Sequence, residues 1–231
     1  MGRAQTSRDG ARGAAAVTGG EIKEYNSSEH ALQYLARADK IAHRTAGEAV
    51  VLELVPRSAR RILDLGAGDG RLLALLKIDR PDARGVATDL SPTMLDAARV
   101  RFAGDATVSV VEHDLDVPLA ALGAAGAFDA VVSCFAIHHC SHGRKRALYA
   151  EVFALLEPGG VFCNLEHVAS PTPELHEAFF AALGMTLADE DRSNQLLDVE
   201  TQVAWLREIG FAQVDCFWKW RELALFGGVR P

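Results

Sequence analysis

Hydrophobic positions follow a helical period in the first part of the chain, up to Pro56. Apolar residues recur at the spacing of one helix face over residues 28–40 and 45–54, which predicts two short helices. Their predicted buried positions are Leu32, Leu35, Val50, Val51 and Leu54. Residues 1–20 are rich in Gly, Ala and Arg and show no period, so we expect a disordered tail there and a helical cap over 21–55.

After Pro56 the pattern changes to short apolar runs that alternate with helical stretches. The strand-like runs are residues 61–65, 85–90, 108–114, 128–137 and 160–168. The helical stretches between them are residues 70–78, 92–102, 117–124 and 143–156. Ser91, which precedes Pro92, is predicted to cap the second of these helices with its hydroxyl, and residues 157–160 are predicted to form a turn. Such alternation predicts a parallel sheet covered by helices on both faces.

The end of the chain departs from this alternation. A helix over 199–209 is stopped by Gly210, and two apolar runs, 211–220 and 221–226, follow with no residues for a helix between them. A parallel crossover needs about a dozen residues, so these runs must pair as an antiparallel hairpin. The predicted fold class is therefore α/β: a doubly wound, mostly parallel seven-stranded sheet with an antiparallel C-terminal edge, over residues 56–231.

Composition narrows the environment and the partners. The chain is 49% apolar, as a globular protein is, and no apolar run reaches the roughly 18 residues that a membrane span needs. There is no secretory apolar segment, and the four cysteines lack paired spacing, so we expect a cytoplasmic protein with reduced thiols. The 31 acidic and 24 basic residues give a net charge of −7, which disfavours nucleic acid as a partner. The cluster Arg144, Lys145 and Arg146 is predicted to be a solvated helix face.

A glycine loop between the first strand and the first helix of the sheet is the strongest chemical signal. It comprises Gly66, Ala67, Gly68, Asp69 and Gly70. Open α/β sheets bind nucleotide-like ligands at this position. Asp89 closes the second strand, 19 residues after Gly70, where a carboxylate can accept both hydroxyls of a ribose.

The spacing of the loop separates two classes of cofactor. Dinucleotide sites use G-x-G-x-x-G, but here Arg71 occupies the third glycine position. Asp64 and Asp69 add two carboxylates, which would repel a pyrophosphate but suit the ammonium group of an amino acid. S-adenosylmethionine is an adenosine with such an amino-acid tail, and we predict it as the cofactor. Arg44, in the cap, is a predicted partner for its carboxylate.

The segment around this loop resembles motif I of the class I S-adenosylmethionine-dependent methyltransferases. The resemblance continues in order through residues 86–98, 110–119, 128–140 and 155–168, and it covers roughly residues 57–226. It implies a Rossmann-like fold, with Asp89 on the ribose, Leu90 and Met94 on the adenine ring, Asp114 on the adenine amino group and Leu115 offering a backbone N–H. The predicted cofactor-binding residues are Asp64, Gly66, Ala67, Gly68, Asp69, Asp89, Leu90, Met94, Asp114, Leu115, Cys134, Phe135 and Arg44.

The carboxyl ends of the fourth and fifth strands should face the reacting methyl group, and they carry four candidate catalytic residues: His139, His138, Glu166 and His167. Imidazole titrates near neutral pH, so adjacent histidines suit the positioning of an acceptor and the removal of its proton. His139 is favoured slightly over His138, and Glu166 with His167 forms a second candidate pair. The structural alternative is that one histidine packs under the cofactor and the other caps the next helix.

A metal site is not predicted at these histidines. Strand alternation would place Cys134 and Cys140 on one face while separating His138 from His139, and the spacing typical of zinc ligands is absent. The sequence Ser133-Cys134-Phe135-Ala136 differs from the Asn-Pro-Pro-Tyr that the family's DNA-base and glutamine methylators carry. We therefore expect a small-molecule acceptor, methylated on oxygen, nitrogen or carbon, and a monomer or homodimer.

Two segments outside the core are predicted to cover the site. One is the cap over 21–55, and the other is an insert over 169–198 with a helix at 173–184. The cap residues concerned are Tyr25, Tyr34, His43 and Arg44, whereas Trp205, Trp218 and Trp220 are predicted to pack the core and hairpin. Two other functions remain open at this point: a non-catalytic partner protein that binds S-adenosylmethionine, and an NAD-dependent oxidoreductase.

Overall fold

The computed structural model describes residues 43–124 and 126–231, together with Met1 and Ala31. Several predictions lie outside these residues, namely the tail, the helix over 28–40, and Leu32, Leu35, Tyr25 and Tyr34. Among the described residues, no helix is both long and apolar enough to cross a membrane.

A seven-stranded sheet forms the centre of the molecule. Its strands are β1 (Arg61–Leu65), β2 (Arg84–Asp89), β3 (Val108–Glu112), β4 (Phe128–Cys134), β5 (Leu156–His167), β6 (Ala212–Trp220) and β7 (Leu223–Val229). Their order across the sheet is β3-β2-β1-β4-β5-β7-β6. The first five strands pair in parallel, and β7 pairs antiparallel with both β5 and β6. The predicted fold class is thereby confirmed, and the hairpin inserts its second strand against β5.

Helices cover both faces of this sheet. They are α1 (Arg44–Leu54), α2 (Arg71–Ile78), α3 (Pro92–Arg101), α4 (His142–Leu155), α5 (Pro173–Ala182) and α6 (Val199–Ile209). On one face, α4 and α6 bury Leu148, Val152 and Leu206, whereas α1 and α2 bury Val51 and Leu73 on the other. Because alternate residues of a strand face opposite ways, neighbouring residues of β1 supply both cores.

Four sequence predictions about local structure are wrong. The predicted helix over 117–124 is only the 3-10 turn Leu119–Ala121, since Pro118 and Gly123 leave too few residues for an α-helix. The predicted turn over 157–160 lies inside β5, where an irregular register accommodates it. Ser91 begins α3, but its buried hydroxyl has no partner among the described residues. The fourth strand ends at Cys134, before the predicted residue 137.

Candidate active site

A cavity of about 380 Å³ opens at the carboxyl ends of the parallel strands. It lies between the glycine loop, the end of β4 and the insert over 169–198. Of the predicted site residues, all except Glu166 line it. These are Arg44, Asp64, Gly66, Ala67, Gly68, Asp69, Asp89, Leu90, Met94, Asp114, Leu115, Cys134, Phe135, His138, His139 and His167.

The glycine loop takes a backbone path that side chains would prevent. Gly66 has φ of +64°, and a Cβ built on it would lie 2.2 Å from the Cβ of Ala136. Asp89 holds the loop in place, because its Oδ2 accepts the N–H of Gly68 at 2.9 Å and its Oδ1 accepts the N–H of Ser91 at 2.8 Å. Each of these oxygens keeps a further lone pair with which to accept a hydroxyl.

Asp64 is fully buried at the end of β1. Its Oδ2 accepts the N–H of Leu73 at 3.2 Å, but its Oδ1 has no hydrogen-bond partner among the described residues. Burial raises the pKa of this carboxyl to about 8. A buried carboxylate oxygen that lacks a partner beside a cavity fits a ligand with a cationic group, such as the ammonium of an amino acid.

The other charged residues of this end are already engaged with one another. Asp69 forms an ion pair with Arg101 at the rim. Glu48, buried in α1, accepts from Nε of Arg44 at 2.7 Å and from Nε of Arg71 at 3.0 Å. Arg71 therefore has a structural reason to occupy the third glycine position, since it ties the loop to α1.

The two adjacent histidines lie side by side. Phe135, which follows the last residue of β4, has φ of +54°, and the 3-10 turn Ile137–His139 comes next. The ring centroids of His138 and His139 are 4.1 Å apart as a result. The expectation that strand alternation separates them is wrong, because this segment is a turn. No metal-binding group of three His, Cys, Asp or Glu residues occurs within the part of the chain that the structure describes.

Glu166 lies behind His138, within hydrogen-bond reach. The Nδ1 of His138 is 2.5 Å from Oε1 of Glu166, and both side chains are buried. Burial raises the pKa of Glu166 to about 7 and lowers the pKa of His138 well below its usual value. A contact this short requires a proton between the two atoms, so the ionisation of His138 and that of Glu166 are linked.

His139 has a different set of partners. Its Nδ1 lies 2.9 Å from Oγ of Ser193, whose hydroxyl donates to Oδ1 of Asp191 at 2.7 Å. The serine oxygen therefore accepts from the Nδ1–H of His139. Burial lowers the pKa of His139 to about 3, so this imidazole is neutral at physiological pH.

A second hydrogen-bond network of histidines and glutamates borders the cavity, and His167 is its only member that the sequence analysis singles out. The Nε2 of His167 is 2.8 Å from Oε2 of Glu222, which lies between β6 and β7. Nδ1 of His176 on α5 is 2.9 Å from Oε1 of Glu222, and its Nε2 is 3.3 Å from Glu190. Glu222 is fully buried. Its position next to a hairpin turn is typical of a solvated residue, so no local pattern predicts this role.

Lys145 is also buried, which contradicts the prediction of a solvated helix face over Arg144, Lys145 and Arg146. Its Nζ donates to the carbonyls of His138, at 3.1 Å, and of Gln195, at 2.7 Å, and also to that of Cys140. The N–H of Gln195 in turn donates to His138 O at 2.9 Å. Lys145 therefore fastens the histidine turn to the insert.

The insert supplies the outer wall of the cavity. Its lining residues are Phe179, Phe180, Leu183, Met185, Asp189, Asp191 and Asn194. Trp218 and Trp220 pack against the two phenylalanines of α5, and Trp205 packs on the core, as predicted for all three. His43 stacks on Trp220, with ring centroids 4.0 Å apart, instead of lining the cavity.

The four cysteines are free in the structure. All four lack a disulfide partner, and Cys134, Cys140 and Cys163 are buried. Burial raises the pKa of each of these three thiols to about 12, so they are protonated at neutral pH.

Comparison with known proteins assigns the fold and the site to one family. A family described as a methyltransferase domain matches residues 62–160. The demethylmenaquinone methyltransferase of Clavibacter sepedonicus is 32% identical over 183 residues, which cover 72% of this chain and 71% of that protein. The ubiquinone/menaquinone biosynthesis C-methyltransferase of Dinoroseobacter shibae is 29% identical over 187 residues, 74% of each chain.

A solved structure shows the same fold. Human N-acetylserotonin methyltransferase, in complex with S-adenosylmethionine, superposes with a TM-score of 0.64 at 16% identity, over 89% of this chain and 57% of that one. The chain belongs to the class I S-adenosylmethionine-dependent methyltransferases. It is an enzyme that uses S-adenosylmethionine, and the NAD-dependent alternative is set aside.

Proposed function

We propose that the enzyme methylates a small, neutral acceptor that carries a hydroxyl group on an apolar body, and that His138 with Glu166 removes the hydroxyl proton. The observation that carries this proposal is the 2.5 Å contact between the Nδ1 of His138 and a buried glutamate, on a histidine that lines the cavity. The apolar residues of the insert provide the wall against which such a body packs.

The glycine-loop end of the cavity is the proposed cofactor site. Asp64 would hold the ammonium group and Asp89 the ribose hydroxyls, while Asp114 and Leu115 would hold the adenine. The orphaned Oδ1 of Asp64 supports this assignment, since it lacks a cationic or hydrogen-bonding partner. When bound, S-adenosylmethionine supplies an electrophilic methyl group.

The proton path follows from the hydrogen bond between His138 and Glu166. With its Nδ1–H donated to the carboxylate, His138 keeps a lone pair on Nε2, which can take the proton of an acceptor hydroxyl. The Nδ1 proton then passes to Glu166, so the buried pair gains one proton and no isolated charge. The new bond to the methyl carbon would form at the oxygen, or at a carbon conjugated with it, as the bond from the methyl carbon to sulfur breaks and its electron pair leaves with the sulfur. Methylation at carbon would also move the hydrogen of that carbon, as a proton, back to the oxygen. His139, held by Ser193, would orient the acceptor.

The names of some relatives favour an apolar acceptor, whereas others are named for malonyl-[acyl-carrier protein] and trans-aconitate. One is named a ubiquinone/menaquinone biosynthesis C-methyltransferase and another a demethylmenaquinone methyltransferase. An acidic rim supports a neutral acceptor here, because Asp116, Asp189 and Asp191 line the same cavity and would repel an anion.

The test is the pH dependence of methyl transfer to a panel of hydroxylated aromatic and enolic acceptors, with product position assigned by NMR. Glu166 must be ionised to take up the proton, so kcat/KM should rise with pH through about 7. Glu166→Gln should flatten this rise and lower kcat by about 10²–10⁴-fold, with cofactor affinity unchanged. Glu208→Gln, the same chemical change on exposed α6, is the matched control.

Either of two results would contradict the proposal. One is a Glu166→Gln enzyme with full activity and an unaltered pH profile. The other is a parent enzyme that binds the cofactor but methylates no member of the panel, which would exclude this class of acceptor.

A further inference from the structure

The cavity carries a second histidine that is backed by a buried glutamate. His167 lines the cavity from the end of β5, and its Nε2 lies 2.8 Å from Oε2 of Glu222. The ring centroids of His138 and His167 are 5.8 Å apart, so both histidine–glutamate pairs border the same part of the cavity. The proposed proton removal uses only the first of them.

The charge of Glu222 settles which nitrogen of His167 carries the proton. Burial alone would raise the pKa of Glu222, but hydrogen bonds from His167, Ser170 and His176 hold it below its usual value. An ionised carboxylate only accepts hydrogen bonds, so the Nε2 of His167 donates to it and Nδ1 keeps a lone pair. Burial raises the pKa of Glu166 to about 7, so His138 has the corresponding lone pair on Nε2 when Glu166 is ionised, above about pH 7.

The lone pairs of these two histidines can accept two hydrogen bonds from one ligand in the cavity, so a matching ligand carries two donors. Neither Nε2 of His138 nor Nδ1 of His167 has a hydrogen-bond partner in the described part of the chain. The surface beside His167 is apolar and aromatic: its ring centroid is 5.2 Å from that of Phe179, and Phe180 and Leu223 continue the wall. A planar apolar ligand with two hydroxyl groups meets both requirements.

We infer that His167 binds a second hydroxyl of the acceptor, and that the enzyme therefore selects aromatic diols over compounds with a single hydroxyl. This inference rests on the proposed function for the role of the first hydroxyl at His138. Glu222 is a positioning residue, since it acts through His167. It also receives a hydrogen bond from His176 of α5, so one carboxylate fixes both the second hydroxyl site and the helix that carries the aromatic wall.

Binding tests this without requiring turnover. The protein saturated with S-adenosylhomocysteine is titrated with phenol, catechol, resorcinol and hydroquinone, and affinities are read from NMR shifts. We expect at least one diol to bind about tenfold or more tightly than phenol. His167→Phe, which keeps a ring against Phe179 and removes both nitrogens, should reduce this preference to about twofold or less while leaving phenol affinity unchanged.

Two further variants guard against a trivial loss of structure. His142→Phe is the matched control: it makes the same change at an exposed histidine that does not line the cavity, and it should retain the preference. Glu222→Gln should weaken the preference for a diol. Its result replaces that of His167→Phe if the latter variant does not bind S-adenosylhomocysteine and is therefore judged not to fold. Equal binding of phenol and all three diols by the parent, or an equal loss for phenol and diol in His167→Phe, would overturn the inference.

Glu166→Gln separates this inference from the proposed function. If the base assignment holds, the variant loses turnover yet keeps its preference for a diol. Retained turnover in Glu166→Gln would refute the base while the binding preference still decides the role of His167.

Discussion

A buried carboxylate oxygen without a partner destabilises a folded protein unless a ligand supplies what is missing, and Asp64 Oδ1 is such an atom. Its raised pKa means that the cofactor-free enzyme holds a proton on Asp64 at neutral pH. A bound ammonium group would favour the ionised form and expel that proton. Cofactor binding and ionisation of Asp64 are therefore linked.

We predict that binding of S-adenosylmethionine at pH 7 releases up to one proton. Calorimetry in buffers with different ionisation enthalpies measures this release directly. Asp64→Asn should abolish it and weaken binding by about 1–3 kcal/mol, because a neutral amide cannot match the ammonium. Asp82→Asn, at an exposed site outside the cavity, should bind and release the proton as the parent does. Unchanged proton release in Asp64→Asn would refute the assignment.

The same residue makes a prediction about stability. The folded protein binds a proton on Asp64 up to about pH 8, whereas the unfolded chain releases it near pH 4. The folded state thus binds more protons in this window, so the free energy of unfolding of the cofactor-free protein falls as pH rises from about 4 to 8. Asp64→Asn should remove part of this fall, and thermal melts of both proteins across the window measure it. An equal pH dependence in parent and variant would show that Asp64 is not the group concerned.

At the scale of elements, the glycine loop depends on its close approach to the end of β4. Gly66→Ala would force a Cβ into Ala136 and a non-glycine residue into positive φ. We predict a loss of about 1–3 kcal/mol in the free energy of unfolding, together with weaker cofactor binding. Gly104→Ala is the control, since a Cβ there meets nothing within 4 Å. Denaturant unfolding measures both, and a stable Gly66→Ala protein would show that the loop can move away.

The histidine turn and the insert form one unit through Lys145. Lys145→Met leaves three carbonyls without their hydrogen-bond donor. We predict that the free energy of unfolding falls by at least about 1–3 kcal/mol. The charge of Lys145 also lowers the pKa of Glu166, so the pH at which activity rises should move upward in this variant. Exposed Lys219→Met is the control. A stability loss with an unmoved pH profile would mean that Lys145 is only structural.

The sequence predicts those parts of the site that one strand–loop–helix unit contains. Asp64, Gly66, Gly68 and Asp89 are recognisable because a local motif fixes their positions, and each lines the cavity. Lys145 was assigned wrongly because its three partners come from two other segments, which no local pattern brings together. The positive φ of Phe135, +54°, is likewise not predictable, because the apolar run continues past this residue as if the strand did.

At the scale of the whole molecule, the sequence predicts the number of strands in the sheet better than it predicts which strands are neighbours. Apolar runs and the missing crossover gave seven strands and a hairpin, yet not the insertion of β7 between β5 and β6. That pairing places Glu222, which immediately precedes β7, beside His167 at the end of β5. The second histidine–glutamate pair is therefore a product of strand order, and only the folded chain reveals it.

The charge of the molecule bears on which acceptors reach this site. A net charge of −7 and the acidic residues of the rim give the mouth of the cavity a negative potential. We predict that a neutral aromatic acceptor has at least a tenfold higher kcat/KM than its carboxylate analogue, and that added salt narrows the difference because it screens the rim.

Neutralising one aspartate at the cavity distinguishes the effect of the local potential on acceptor selection from the effect of the net charge of the protein. Asp116→Asn, at the cavity, should improve kcat/KM for the carboxylate analogue by a few-fold, whereas Asp82→Asn changes the net charge equally but lies outside the cavity lining and should have little effect. The neutral acceptor should respond to neither. Equal responses to the two variants would attribute selection to overall charge, and a salt-independent preference would attribute it to contacts inside the cavity.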